Sequence, residues 1–177
     1  SEMFLKTHPG CKIVHDGRVI WNIQNIVSKN GGVHLQSKTG HAFIKQIMRE
    51  NDAIYGGELS AHHYFRDFAF CDSGMIPWIL LLNLLGTESR SLSALVDERK
   101  VWFLSSGEIN LNVANAEEKV KDVYNFYKDG AESTEWLDGL SMQFKHWRFN
   151  LRGSNTEPIL RLNIESKGDN EILNVFY

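Results

Sequence analysis

The run Arg152-Gly-Ser-Asn-Thr156 gathers a guanidinium, two hydroxyls and a side-chain amide within five residues. A guanidinium offers a planar fork to two phosphate oxygens. The hydroxyls of Ser154 and Thr156 and the amide of Asn155 add donors, and Gly153 leaves the backbone free to turn its N–H groups toward an anion. The chemistry is that of a phosphate cradle. The same residue types also suit a polar hairpin turn that satisfies its own backbone, and the pattern leaves both readings open.

A second run, Gly56-Gly-Glu-Leu-Ser-Ala-His-His63, follows an apolar triplet that reads as a strand. The carboxylate of Glu58 is a natural acceptor for neighbouring sugar hydroxyls. Ser60 adds a donor, and the imidazole of His62 can meet a hydroxyl or a phosphate. Capping roles for Glu58 and Ser60 fit equally well. His62 and His63 are adjacent, with no third ligand at a suitable spacing, so no metal site is expected. Lys38-Thr-Gly-His41 places His41 near a helix start, where an anion or plain solvent can face it. Asp16-Gly-Arg18 offers Arg18 to an anion or to a surface carboxylate. Lys45, Arg66 and Asp67 are lesser candidates, with surface or structural pairing as the default.

The elements around these runs read as two units. Residues 12–17 form a strand, 19–29 a helix, 33–36 a strand, 42–50 a helix and 53–55 a strand stopped by Gly56-Gly57. That alternation argues for a small three-layer α/β unit with a mostly parallel mixed sheet. A loop over 57–72 follows, then a helix over 74–85 capped by Ser73 and closed by Gly86, and a shorter helix capped by Ser91 through Glu98. The second unit holds a strand over 108–113, a helix over 116–128, strands near 136–144, 147–152 and 158–165, and a short terminal helix around 169–176. This is an α+β plan, an antiparallel sheet with helices on one face. The boundary falls in 97–106, giving units of residues 1–99 and 100–177.

Bulk properties exclude some functions. The chain of 177 residues has a formal net charge of −3 and 23% charged residues. Neither a basic face nor an aromatic-basic surface suggests nucleic acid. The most apolar run, Met75 to Leu85, is far shorter than the ~20 residues of a membrane span. Cys11 and Cys71 form no C-x-x-C pair, and two free thiols in a reducing compartment are expected. With no basic leader before an apolar stretch, a cytoplasmic location is expected. The chain opens Ser1-Glu2-Met3, and a start inside a larger protein is expected.

In order and spacing, Asp16-Gly-Arg18, Lys38-Thr-Gly-His41, Gly57-Glu-Leu-Ser-Ala-His62 and Arg152-Gly-Ser-Asn-Thr156 resemble the second half of the α-D-phosphohexomutases. Tyr55–Ile79 and Gly139–Ser166 look like the bacterial phosphomannomutases of GDP-mannose and surface-polysaccharide synthesis. The resemblance covers nearly the whole chain and implies the third and fourth domains of a four-domain enzyme, the fourth being TATA-binding-protein-like. It implies a phosphoryl exchange between mannose 6-phosphate and mannose 1-phosphate through a phosphoserine, a bisphosphorylated hexose intermediate and Mg2+. By resemblance, Glu58, Ser60, His62, Arg18 and His41 line the sugar site, with His41, His62 and Arg18 as possible assistants to the chemistry. Arg152, Ser154, Asn155 and Thr156 hold the phosphate that is not transferred. No Ser-His-Asn-Pro-like phosphoserine loop and no Asp-Gly-Asp-Gly-Asp magnesium loop occurs, so the fragment alone is expected to be inactive, with its partner domains N-terminal in the same polypeptide. Gly153 stands where relatives often have Ser or Ala. Leu59 favours mannose and glucose phosphates over glucosamine phosphate and leaves strict mannose against dual mannose/glucose specificity open. A stand-alone phosphosugar-binding module is the alternative from another class.

Overall fold

The computed structural model describes residues 1–154 and 158–168. They fall into two units, Ser1–Asp16 with Ile20–Lys100, and Gly17–Val19 with Val101 onward.

The first unit is built on a five-stranded sheet. Strands β1 (Lys12–Asp16), β2 (Val33–Ser37), β3 (Tyr55–Gly57), β4 (His63–Phe65) and β5 (Cys71–Asp72) lie in the order β2-β1-β3-β4-β5. β1 pairs parallel with β2 and β3, and the β3/β4 and β4/β5 pairs are antiparallel. Alternation along β1 sorts its side chains to two faces. Ile13 joins Leu5 of α1 (Glu2–Thr7) and Val27 of α2 (Trp21–Lys29), while Val14 joins Ile44 and Met48 of α3 (His41–Asn51). The helices therefore cover opposite faces, which gives the three layers the sequence predicts.

The sequence misplaces one region. Gly56 and Gly57 lie inside β3 and do not stop it, and the expected loop 57–72 carries β4, a short 3-10 helix (Arg66–Phe68) and β5. Gly56 is in the strand because nothing larger fits. A Cβ there would sit 2.7 Å from Met48 Sδ and 2.9 Å from Ile44 Cγ2. The antiparallel strands β4 and β5 are three and two residues long, too short for a period to show in the sequence.

Helix α4 (Met75–Thr87) begins as expected, with Ile76 N donating to Ser73 Oγ at 3.3 Å. Gly86 lies within its last turn and does not close it. Helix α5 (Leu92–Lys100) starts with Ala94 N donating to Ser91 Oγ at 3.2 Å. Ile76 and Leu80 turn toward Phe4, Ile54 and Phe65 around a shallow apolar cavity. No single helix among the described residues is long and apolar enough to cross a membrane.

The second unit is an antiparallel sheet in the order β6-β10-β9-β8-β7, formed by β6 (Leu104–Asn112), β7 (Ser133–Glu135), β8 (Leu140–Gln143), β9 (Trp147–Gly153) and β10 (Ile159–Ser166). Helix α6 (Ala116–Tyr127) packs Val120, Val123, Tyr124 and Tyr127 against Leu140, Met142, Phe149, Leu151, Leu160 and Ile164. The opposite register positions of β9 and β10 carry Arg148, Asn150, Asn163 and Glu165, each no more than 2% exposed. This polar, buried sheet face is what the site of this unit stands on. β7 is an addition to the expected strands, and the expected helix around 169–176 lies outside the described residues.

Candidate functional site

In the first unit, loops at the C-terminal ends of strands meet the start of α3 around a cavity of about 380 Å³. Gly40, His41, Lys45, Glu58, His62, Tyr64 and Asp72 line it. His41 and Lys45 are one helical turn apart and so share a face of α3. The loop that carries Glu58 is pinned at both ends. Glu58 N donates to His62 O at 2.9 Å, and Leu59 N donates to the buried carboxylate of Asp16, at the end of β1, at 2.8 Å. Ala61 takes up a left-handed conformation with φ 64°, which lets the loop turn back on itself.

A polar network crosses the cavity floor. Tyr64, from β4, donates its hydroxyl to Glu58 Oε1 in a short hydrogen bond. Lys45 Nζ lies 5.7 Å from the centre of the Tyr64 ring and 3.1 Å from Asp72 Oδ1. Burial, followed by the hydrogen bond to Glu58, pushes the Tyr64 phenol well above its ordinary value. The hydrogen bond from Lys45 holds the Asp72 carboxyl below the usual carboxylate range. Ser60 Oγ and His62 Nδ1 are 3.1 Å apart. His63 points elsewhere, with Nδ1 2.6 Å from the Tyr55 hydroxyl. Burial lowers the His63 imidazole pKa and raises that of Tyr55 to about 12. The cavity thus presents an anchored carboxylate, an ammonium and two imidazoles to one volume, a donor and acceptor set suited to a polyhydroxylated anion.

In the second unit, Glu108 of β6 gathers three guanidiniums. Its Oε2 lies 3.4 Å from Arg152 Nη2 and 3.7 Å from Arg18 Nη1, and its Oε1 lies 3.7 Å from Arg161 Nε. Arg152 and Arg161 stand directly opposite each other on β9 and β10. Like charges in that position repel unless a carboxylate or a bound anion lies between them. Ser154 N donates to Ile159 O at 3.0 Å and closes the turn that follows Arg152. Asn155 and Thr156 lie outside the described residues.

The structure therefore brings His41, Glu58, Ser60 and His62 together in one unit, and Arg18 and Arg152 together in the other. Arg66 pairs with Asp52 at 3.3 Å and Asp67 at 3.1 Å, the structural default expected for it. Cys11 and Cys71 are free thiols. The sequence reading passed over Tyr64, Asp72, Glu108, Arg148 and Arg161. The alternation Arg148-Phe-Asn-Leu-Arg152 could have flagged a polar face of β9, since period two puts Arg148, Asn150 and Arg152 on one side. Among the described residues no group of three or more His, Cys, Asp or Glu side chains is placed to hold a metal ion.

Comparison with known proteins agrees with the mixed-sheet fold of the first unit and the antiparallel-sheet fold of the second. Residues 2–101 match the phosphoglucomutase/phosphomannomutase alpha/beta/alpha domain III, and residues 108–176 match the phosphoglucomutase/phosphomannomutase C-terminal domain. The chain is 53% identical over 174 residues to a phosphomannomutase of Escherichia coli, covering 98% of this chain and 38% of that protein. It is 50% identical to a protein of Xanthomonas campestris pv. campestris named for phosphohexose mutases, over 98% of this chain and 39% of that one. A crystal structure of a phosphoglucomutase/phosphomannomutase family protein from Burkholderia thailandensis superposes with a TM-score of 0.80 at 30% identity, over 98% of this chain and 37% of that chain. The chain thus spans well under half the length of these relatives. It belongs to the phosphoglucomutase/phosphomannomutase family, of which it carries domain III and the C-terminal domain.

Proposed function

We propose that the chain is the sugar- and phosphate-recognising part of a phosphomannomutase that interconverts mannose 6-phosphate and mannose 1-phosphate, supplying GDP-mannose for surface polysaccharide. The observation that carries this reading is the convergence of His41, Lys45, Glu58 and His62 on one cavity. In this reading Glu58 and Ser60 bind sugar hydroxyls, and His41, His62 and Arg18 are substrate-binding residues. Arg152, Ser154, Asn155 and Thr156 hold the phosphate that stays in place. Phosphoryl transfer is mostly positioning and charge stabilisation, and these are the tasks such residues perform. The phosphoryl group itself comes from a phosphoserine on N-terminal domains of the same polypeptide, by way of a bisphosphorylated hexose. The Mg2+ of this proposal is held by ligands in those N-terminal domains. The fragment alone recognises the sugar phosphate without turning it over, in the cytoplasm.

The test is a titration of the isolated chain with mannose 1-phosphate. Binding in the millimolar range or weaker is expected, because half the contacts are missing. Chemical-shift changes should centre on residues 41–45, 56–63 and 152–156, and changes confined elsewhere would overturn the assignment. In the longer polypeptide, Arg152→Ala is expected to lower kcat/KM about tenfold to 150-fold, the ~1.5–3 kcal/mol scale of charged hydrogen bonds. An unchanged value removes the phosphate role.

A further inference from the structure

Arg148 lies on β9 and is 2% exposed, and its cross-strand neighbour Glu165 on β10 is 1% exposed. Arg148 Nη1 donates to Glu165 Oε2 at 2.7 Å. For packing alone this pair is a poor choice. Two desolvated charges recover little more than their burial cost, and an apolar pair of similar volume commonly does as well or better. The guanidinium, however, has donors to spare. Nη1 also donates to the carbonyl of Arg18 at 2.9 Å, and Nη2 donates to the carbonyl of Gly17 at 3.0 Å. Gly17–Val19 group with the second unit, so this contact lies within it.

Those two carbonyls bracket the Arg18 α-carbon. Fixing both peptide planes fixes the φ and ψ of Arg18 and with them the direction of its Cα–Cβ bond. Glu108 then meets the Arg18 guanidinium at 3.7 Å. One buried cation thus holds the root of the side chain, and one carboxylate holds its tip. We infer that Arg148 is a positioning residue that aims Arg18 through the Gly17 and Arg18 carbonyls. The inference rests on the reading of Arg18 as a substrate-binding residue. It also explains why the position carries arginine. A lysine could neutralise Glu165, but its point ammonium lacks the planar fork that meets a carboxylate and two consecutive carbonyls together.

The test uses Arg148→Lys, which keeps Glu165 paired, and Arg148→Met with Glu165→Leu, which leaves no charge buried alone. Each is made with and without Arg18→Ala in the 177-residue chain. Amide hydrogen exchange across residues 17–20 should speed up at least tenfold in both variants, with protection elsewhere in the second sheet kept. The dissociation constant for mannose 1-phosphate should rise at least threefold, and in the Arg18→Ala background the same changes should add less than 1.5-fold. Unchanged exchange at 17–20 overturns the inference. So does a loss of affinity that is equal with and without Arg18, which is what a merely structural role gives. If the wild-type chain shows no mannose 1-phosphate binding, the substrate reading fails by itself, and the exchange result alone decides whether Arg148 fixes the loop. If the double substitution does not fold, Arg148→Lys carries the test.

Discussion

Glu58 reaches its cavity with one oxygen already held by Tyr64 and its backbone tied to His62. The carboxylate is aimed before any ligand arrives, which lowers the ordering cost of binding. Tyr64→Phe keeps the ring under Lys45 and removes only the hydroxyl. It should weaken mannose 1-phosphate binding about two- to tenfold, the net scale of one hydrogen bond at ~0.5–1.5 kcal/mol. Unchanged affinity in a titration would show that Glu58 needs no such anchor. His63 makes a different prediction. Burial disfavours its charged form, so its folded pKa lies below the unfolded value near 6.5. Between those two values the unfolded chain binds more protons than the folded one. The contribution of His63 is therefore complete above pH ~6.5 and is lost as the pH falls through that window. Denaturant midpoints measured from pH 7.5 to 5.5 should drop, and His63→Gln should flatten the drop. At this scale the sequence showed the residues that bear chemistry but not what holds them. His41, Glu58, His62 and Arg152 stand in polar runs, whereas Asp16, Tyr64, Glu108 and Arg148 act on partners 43, 6, 44 and 130 residues away. Of these four, only the Tyr64 pairing is local enough for inspection of the chain to suggest it.

Among the elements, β3 shows how packing overrides a local signal. Two consecutive glycines read as a break, yet Gly56 pairs with Val14 on one side and Tyr64 on the other. It does so because α3 presses Met48 and Ile44 onto the strand. Gly56→Ala should cost about 1–3 kcal/mol by overpacking, tempered by the flexibility of Met48. A urea midpoint equal to wild type would mean that the helix can retreat. Helix α6 is the opposite case, in which local chemistry suffices. Asn115 Oδ1 accepts from Glu118 N at 3.2 Å, and Glu117 and Glu118 sit in the first turn. Asn115→Ala should cost about 1 kcal/mol, also read from the urea midpoint. Long elements with a clear period, such as α2, α3, α6, β9 and β10, were legible in the sequence. Strands of two or three residues such as β4, β5 and β7 were not, because they exist only through their neighbours in the sheet.

At the scale of the whole molecule the net charge of the chain has the same sign as the proposed ligand. The chain carries a formal net charge of −3 and would repel a hexose phosphate at long range. Attraction has to come from short-range groups, and the structure supplies them locally. Arg18, Arg152 and Arg161 surround the carboxylate of Glu108, and Arg18 is 5% exposed. Partly buried charges are screened far less by salt than exposed ones, whereas steering by surface lysines fades once the Debye length falls below ~10 Å. Affinity for mannose 1-phosphate should therefore change by less than about threefold between 50 and 300 mM NaCl, as read by titration at fixed pH. A steep decline of tenfold or more would place the attraction on exposed lysines and take it away from the guanidinium cluster. Arg161→Gln separates the two further. If the cluster holds the anion, this change should weaken binding while leaving the shallow salt dependence in place. If surface steering dominates, it should alter neither.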